Sequence, residues 1–348
     1  MDNRSINLNL TRILSGYYFL EYRNSRFKVK YPDMDLKYEA DYAADQEFHN
    51  NKFSGWYNKE SIIDHLIFIE AWSKEEDLEL LRLEKSIDNF KVKLYENHFN
   101  SVEVRKIKAK LDLSRDRQSK LYYKKHCCDH ITIEGYCESV KNDFLLIHSI
   151  YDENNELYFK NKMNWKIFSE VSSLVGQKGI TTEDFRAIAR SAQWRQYWSS
   201  NKGNIFGVPA IEWTDEQKSL VLLTKMYDNA KESPDSPPEA VYEDDDMFDG
   251  WMIFQERKRE KEKKKQDLEQ KIGPQMSNAS EVFIMAKNQK EASEIYDIND
   301  KESRNTIIER QNFIRSQQKD KEIKDTELPD VQRELIIKSM ENQKSRGK

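Results

Sequence analysis

Between residues 126 and 137, His126, Cys127, Cys128, Asp129, His130 and Cys137 carry donor atoms suited to metal chemistry. A structural zinc site needs ligands paired two to four residues apart, with a second pair at a distance, so that four donors close a tetrahedron. Here the donors crowd into one helical stretch, and no second pair occurs elsewhere. Neighbouring Cys127 and Cys128 point to different faces of a helix, which keeps both from chelating one ion. Only His126 and His130, one helical turn apart, share a face. The stretch therefore reads as small buried cysteines with surface histidines, and no metal is expected.

Asp244, Asp245, Asp246 and Asp249 form a second cluster, followed by Trp251. Grouped carboxylates are what two-metal hydrolases use to hold divalent ions, and a metal-dependent hydrolase with an essential Asp245 is one reading. Such enzymes gather their acids from separate elements and add a Lys or His. In a calcium-loop register Asp245, Asp249, Gly250 and Glu256 fall at positions 1, 5, 6 and 12. Met247 then stands where an oxygen ligand is required, and a Pro-rich segment replaces the entering helix. An acidic cap that docks on something basic is the plainer expectation.

The third constellation is Arg186, Arg190, Trp194, Arg195 and Trp198, amphipathic at helical spacing. Arg and Trp so arranged can grip phosphate and stack on bases. They can equally anchor a core, with the Arg side chains paired to acids such as Asp184, or form the hot spot of a protein interface. No P-loop, G-x-S-x-G, H-E-x-x-H, kinase or dinucleotide motif is present. With 10 scattered Gly in 348 residues there is little material for a phosphate cradle. The expectation is a non-enzymatic binding protein that uses no cofactor.

The elements that would position these residues are mainly helical. Charged residues make up 34% and hydrophobic ones 37%, with only 10 Gly and 7 Pro, which favours helices with wide solvated faces. The 11% aromatic content sets the chain apart from disordered ones. A net charge of −5 gives no global attraction to nucleic acid, so only a local patch could supply it. Residues 1–20 lack a basic segment followed by an apolar one, so a secretory signal is not expected. The longest apolar run, Ile62–Trp72, is broken by Asp64, His65 and Glu70 and falls short of the roughly 20 residues of a membrane span. Three Cys make no disulfide framework and fit a reducing compartment.

Residues 1–32 read as a small β-hairpin, because runs 17–22 and 26–31 flank Arg23-Asn24-Ser25 and the second alternates basic and apolar. Residues 33–151 read as a helical domain, with helices at 35–49 and after Asn58. Ser73 with Glu76 makes a capping box. Beyond it, Leu80, Leu83, Ile87, Phe90 and Leu94 form a heptad-like seam. A break at 97–100 and a second helix carrying Val104, Ile107, Leu111 and Leu121 complete a long antiparallel helical hairpin over 73–127. Ser114 and Gln118 weaken the seam, so a third helix, Thr132–Ile150, is expected to pack on it.

Residues 152–232 read as a helical module with helices at 164–175, from Thr181/Thr182 to Trp198, and from Thr214 to Lys231. Residues 233–249 read as an extended Pro-rich and acidic linker. Seven acids between Asp235 and Asp249 precede seven bases between Arg257 and Lys265, which suits the dipole of a charged helix over 250–272 that begins near Asp246. Residues 273–348 read as a weakly cored, partly ordered tail of short helices at 288–297, 301–318 and 329–344.

Several stretches resemble virion structural and tail-assembly-chaperone-type proteins of large tailed bacteriophages. The resemblance lies in Ala189-Arg190-x3-Trp194-Arg195-x2-Trp198, Asp215-Glu216-Gln217-x2-Leu220, Met226-Tyr227-Asp228, Pro238 and Asp244-Asp245-Asp246-x2-Asp249-Gly250-Trp251. Ile87-Asp88-x2-Lys91-x2-Leu94-Tyr95 and Thr132-x-Glu134-Gly135-Tyr136 extend it, over about residues 80–260 in all. It supplies no catalytic residues. It implies a morphogenesis protein in the host cytoplasm or virion, whose partners are other phage structural or assembly proteins or a second copy of itself. Nucleic acid is the less favoured partner. On this reading the contact residues are Arg190, Trp194, Arg195 and Trp198, together with Asp244, Asp245, Asp246, Asp249 and Trp251.

Overall fold

A computed structural model describes residues 2–23, 25–161, 163–201, 204–272 and 308. Its contacts divide the chain into two units, 1–254 and 255–348. The architecture is mainly α, with thirteen helices and a three-stranded antiparallel sheet among the described residues. The helices expected at 288–297, 301–318 and 329–344 lie outside the described residues, apart from Ile308.

The chain opens with α1 (Asn3–Ser15) rather than with strand. Asp2 caps it by accepting from the Ser5 N–H at 2.9 Å, and Gly16, at φ 72°, ends it. Ile6, Leu10 and Ile13 recur at helical spacing and are buried, a period that the hairpin reading of residues 1–32 passed over. The hairpin itself is present as β1 (Tyr17–Tyr22) and β2 (Ser25–Lys30), with Tyr17 opposite Lys30 and Leu20 opposite Phe27. A third strand, β3 (Ile150–Tyr151), pairs with β2. Tyr18, Leu20, Phe27, Val29 and Ile150 form the buried face of this sheet. They pack on Phe159 of α7 (Tyr158–Asn161) and on Phe168 and Val171 of α8 (Trp165–Gln177).

Next come α2 (Met34–Asn51), α3 (Lys59–Phe68) and the hairpin of α4 (Lys74–Glu96) with α5 (Ser101–His126). The Ser73–Glu76 capping box forms in both directions, at 3.3 and 3.0 Å. Leu80 and Leu83 pack with Leu66, Trp72 and Leu121 at one end of the hairpin. Ile87, Leu94, Ile107 and Leu111 enter the main core at the other. The expected third helix, α6 (Ile133–Ser149), lies along α2 instead, tied by Lys141–Asp41 at 2.6 Å and by Tyr136 donating to Glu47 at 3.2 Å. The covering helix on the hairpin's core end is α13 (Asp245–Ile272). Its Gly250 is the reason: a Cβ there would stand 1.9 Å from the Lys91 carbonyl oxygen, so only glycine lets the backbones touch.

The helix expected from Thr182 to Trp198 is broken into α9 (Thr182–Arg190) and α10 (Ala192–Ser200). Ser191 lies between them in extended conformation (φ −64°, ψ 143°), its hydroxyl donating to the Ile188 carbonyl and capping Trp194 N–H. Then follows α11 (Asp215–Glu232), opened by the Thr214–Gln217 capping box. The Gln217 amide also donates to the Ile13 carbonyl at 3.0 Å, joining α11 to α1. The segment expected as an extended linker instead folds back. Pro237 is buried, α12 (Glu239–Glu243) buries Val241 and Tyr242, and Trp251 Nε1 donates to the Asp235 carbonyl. Among the described residues, no helix is long and apolar enough to cross a membrane.

Candidate functional site

The four aspartates of the acidic run sit at the start of α13, where the positive end of the helix dipole favours them. Each carboxylate meets a base from another helix. Asp244 takes Lys108 with one oxygen, and its other oxygen accepts from the Asp246 and Met247 N–H groups at 3.1 and 3.0 Å. Asp245 takes Arg190 at 2.5 Å, and Asp246 takes both ends of the Arg115 fork. Asp249 bridges Lys91 at 2.7 Å and Arg186 at 2.6 Å. Burial works against the Arg186 charge, but the bond and charge of Asp249 together with Tyr227 and Asp245 outweigh it, and the guanidinium pKa ends raised. At Arg115 the bond to Asp246 raises the pKa against desolvation. The acidic cap thus docks on the protein's own α4, α5 and α9. Among the described residues, no group of three or more His, Cys, Asp or Glu is placed to hold a metal ion.

The Arg/Trp residues stand on two helices, and their side chains point inward. Trp194 is fully buried and donates its indole N–H to Thr224 Oγ1 at 2.8 Å. Trp198 donates to Asp228 at 3.0 Å, and Arg195 pairs with the same carboxylate. Arg190 reaches Tyr227 Oη and the Tyr242 carbonyl, both at 2.9 Å, besides Asp245. The arginines find Asp228, Asp245 and Asp249. Asp184 is spent on the α9 cap, accepting from Thr181 N–H at 3.2 Å. Trp251 is buried as well. The structure therefore brings Arg190, Asp245, Asp249 and Trp251 together around Tyr227 and Phe248, with Arg195, Trp194 and Trp198 one helix away. Trp194, Trp198 and Trp251 keep only 0%, 8% and 3% of their surface exposed.

The cysteine stretch departs from its helical reading. Because α5 ends at His126, Cys127 and Cys128 lie beyond the helix, and their sulfurs approach to 3.6 Å instead of pointing apart. His126 pairs with Asp129 at 2.8 Å, and Cys137 is buried on α6, where desolvation raises its thiol pKa.

Two features went unsignalled by motif. One is a cavity of about 250 Å³ where α1, the sheet, α6, α8, α9 and α11 meet, lined among others by Arg12, Tyr18, Tyr31, Ser149 and Glu216. Arg12 Nε and Ser149 Oγ are buried there without a partner among the described residues, the setting in which ordered water bridges polar groups. Burial pushes the Tyr31 phenol up to about 12 and raises Glu216 above the ordinary carboxylate range. The other is a concentration of exposed apolar side chains between residues 38 and 69. It comprises Tyr38 and Tyr42 one turn apart on α2, Phe53, Trp56 and Tyr57 in the connection to α3, and Phe68 and Ile69 at its end. No family model, curated protein or solved structure matches the chain.

Proposed function

We propose that the chain is a non-enzymatic binding protein of bacteriophage morphogenesis, a virion component or assembly chaperone, that acts through helical protein–protein contacts. The observation that carries it is the exposed apolar stretch of residues 38–69, in which Phe53 is 92% and Phe68 83% accessible. Single exposed apolar residues are ordinary, but a concentration of large ones in one short stretch of sequence is what partner surfaces provide. The phage setting rests on the resemblance of residues 80–260. On this reading the Arg/Trp and Asp residues first expected as contacts are engaged within the chain itself, with Lys91, Lys108, Arg115, Thr224 and Asp228 as partners. A nucleic-acid reading through Arg190 and Trp194 draws no support from side chains already engaged with Asp245 and Thr224.

Mass spectrometry of mature virions and of immature particles from the infection that produces the chain tests the proposal. Presence in mature virions makes it a structural component, and presence in precursors alone makes it a chaperone. Absence from both overturns it. Replacing Tyr38, Phe53 and Phe68 together by Ser should remove it from the particles without altering its own fold.

A further inference from the structure

The solvent-facing side of the β1–β2–β3 sheet carries a pattern that the proposed function does not use. Alternation along the strands sends Tyr18, Leu20, Phe27 and Val29 inward, and leaves Tyr17, Phe19, Glu21, Arg26, Lys28 and Lys30 on the open face. Register then sets aromatic beside basic. Tyr17 is opposite Lys30, Phe19 opposite Lys28, and Lys28 is also opposite Tyr151 of β3. The Arg26 guanidinium lies 3.7 Å from the Phe19 ring centroid, Lys28 Nζ 4.3 Å from that of Tyr17, and Lys30 Nζ 4.1 Å from that of Tyr151.

None of these three cations makes an ion pair among the described residues, although the chain carries 62 acids against 57 bases. Glu21, opposite Arg26, is the one acid in the face. Glu153 at its margin accepts only from the Arg26 backbone N–H, at 3.4 Å. Three cations outside any ion pair, alternating with three aromatic rings on one strand-spaced surface, match a polyanion that also offers flat π faces. An exposed cation–π contact is weak. The ring can exchange it for a base, and the cation for a phosphate.

We propose that this open sheet face binds single-stranded nucleic acid, Tyr17, Phe19 and Tyr151 stacking on bases while Arg26, Lys28 and Lys30 meet phosphates. A duplex hides its base faces, so single strands are the preferred form. The inference goes beyond the morphogenesis reading and stands or falls separately from it.

Fluorescence anisotropy of the full chain with a labelled oligothymidylate of about 15 nucleotides, at about 50 mM salt, tests it. The expected result is saturable binding, weakened by salt with a log–log slope of about −2, since three phosphates on a single strand contribute roughly 0.7 each. Arg26→Gln/Lys28→Gln/Lys30→Gln should abolish the binding. Tyr17→Ala and Phe19→Ala should each weaken it about five-fold or more and leave the slope unchanged. Far-UV dichroism and melting of each variant establish that it is folded. No binding by the full chain overturns the proposal, and so does undiminished binding by the folded triple variant, which would locate it elsewhere, as on Arg257–Lys265. Equal affinity for a duplex of the same length or for polyglutamate overturns it too, because neither has bases free to stack.

Discussion

At the scale of single residues, burial decides which of the many ion pairs matter. Lys120–Asp116, at 69% and 57% exposure, is an ordinary surface pair, and Lys120→Ala should leave the urea midpoint unchanged. Arg186 and Asp249 are 14% and 24% exposed, and Asp249 keeps Lys91 when Arg186 is lost. Arg186→Met should therefore cost about 2 kcal/mol, less than the roughly 3–5 kcal/mol of a fully buried pair. A double-mutant cycle with Asp249→Asn, read by urea unfolding, measures the coupling, and a coupling near zero would contradict the network. Glu216 yields a pH signature. Its folded pKa is raised above the ordinary 4.5 by burial. The native state then binds more protons than the unfolded chain between those two values, and stability falls as pH rises through that window. Glu216→Gln should match the parent below pH 4.5 and become the more stable protein above the window, read from urea midpoints across a pH series. Parallel curves would refute this.

At the scale of elements, the capped starts of α3, α4 and α11 were legible, those of α1 and α10 were not, and helix partners were not. Ser73 with Glu76 and Thr214 with Gln217 are capping boxes in sequence and in structure, because a cap is made by residues three apart. The α4–α5 seam was legible for the same reason, its period being local. What lies over the seam depends on Gly250, which in sequence stands where a calcium loop would place its glycine and in the fold marks a helix crossing. Two glycines separate these roles. Gly250→Ala forces a Cβ against the Lys91 backbone and should cost about 3 kcal/mol or more. Gly176→Ala, within α8 and with nothing near its Cβ, should stabilise by about 0.5–1 kcal/mol. Thermal melting of both variants checks the contrast, and similar melting points would show that α4 and α13 do not touch at Gly250.

At the scale of the whole molecule, the segment 233–254 sends side chains into the core and does not separate modules. Val241, Tyr242, Phe248 and Trp251 are buried with Ile188, Leu220 and Tyr227. A chain ended after Phe254 keeps the first unit complete and should unfold in one cooperative transition. One ended after Glu232 loses those side chains, together with all four aspartates that neutralise Lys91, Lys108, Arg115, Arg186 and Arg190. It should lose cooperative unfolding and bind dyes that report exposed apolar surface. A cooperative melt for the shorter chain would show that the segment is a linker after all.

The amino-acid sequence by itself determined the mainly helical class, the β-hairpin, the capped starts of α3, α4 and α11 and the apolar seam of α4 and α5. All of these are written in spacings of two to four residues. It also displayed the alternating Arg26, Lys28 and Lys30. Only the tertiary structure decided that Tyr151 joins that face, that Ser191 splits the Arg/Trp helix, and that the aspartates of α13 close on bases 55 to 158 residues away. Charge and aromaticity are readable at each position. Whether they face solvent or one another is set by which distant helices share a core, and no local period encodes that.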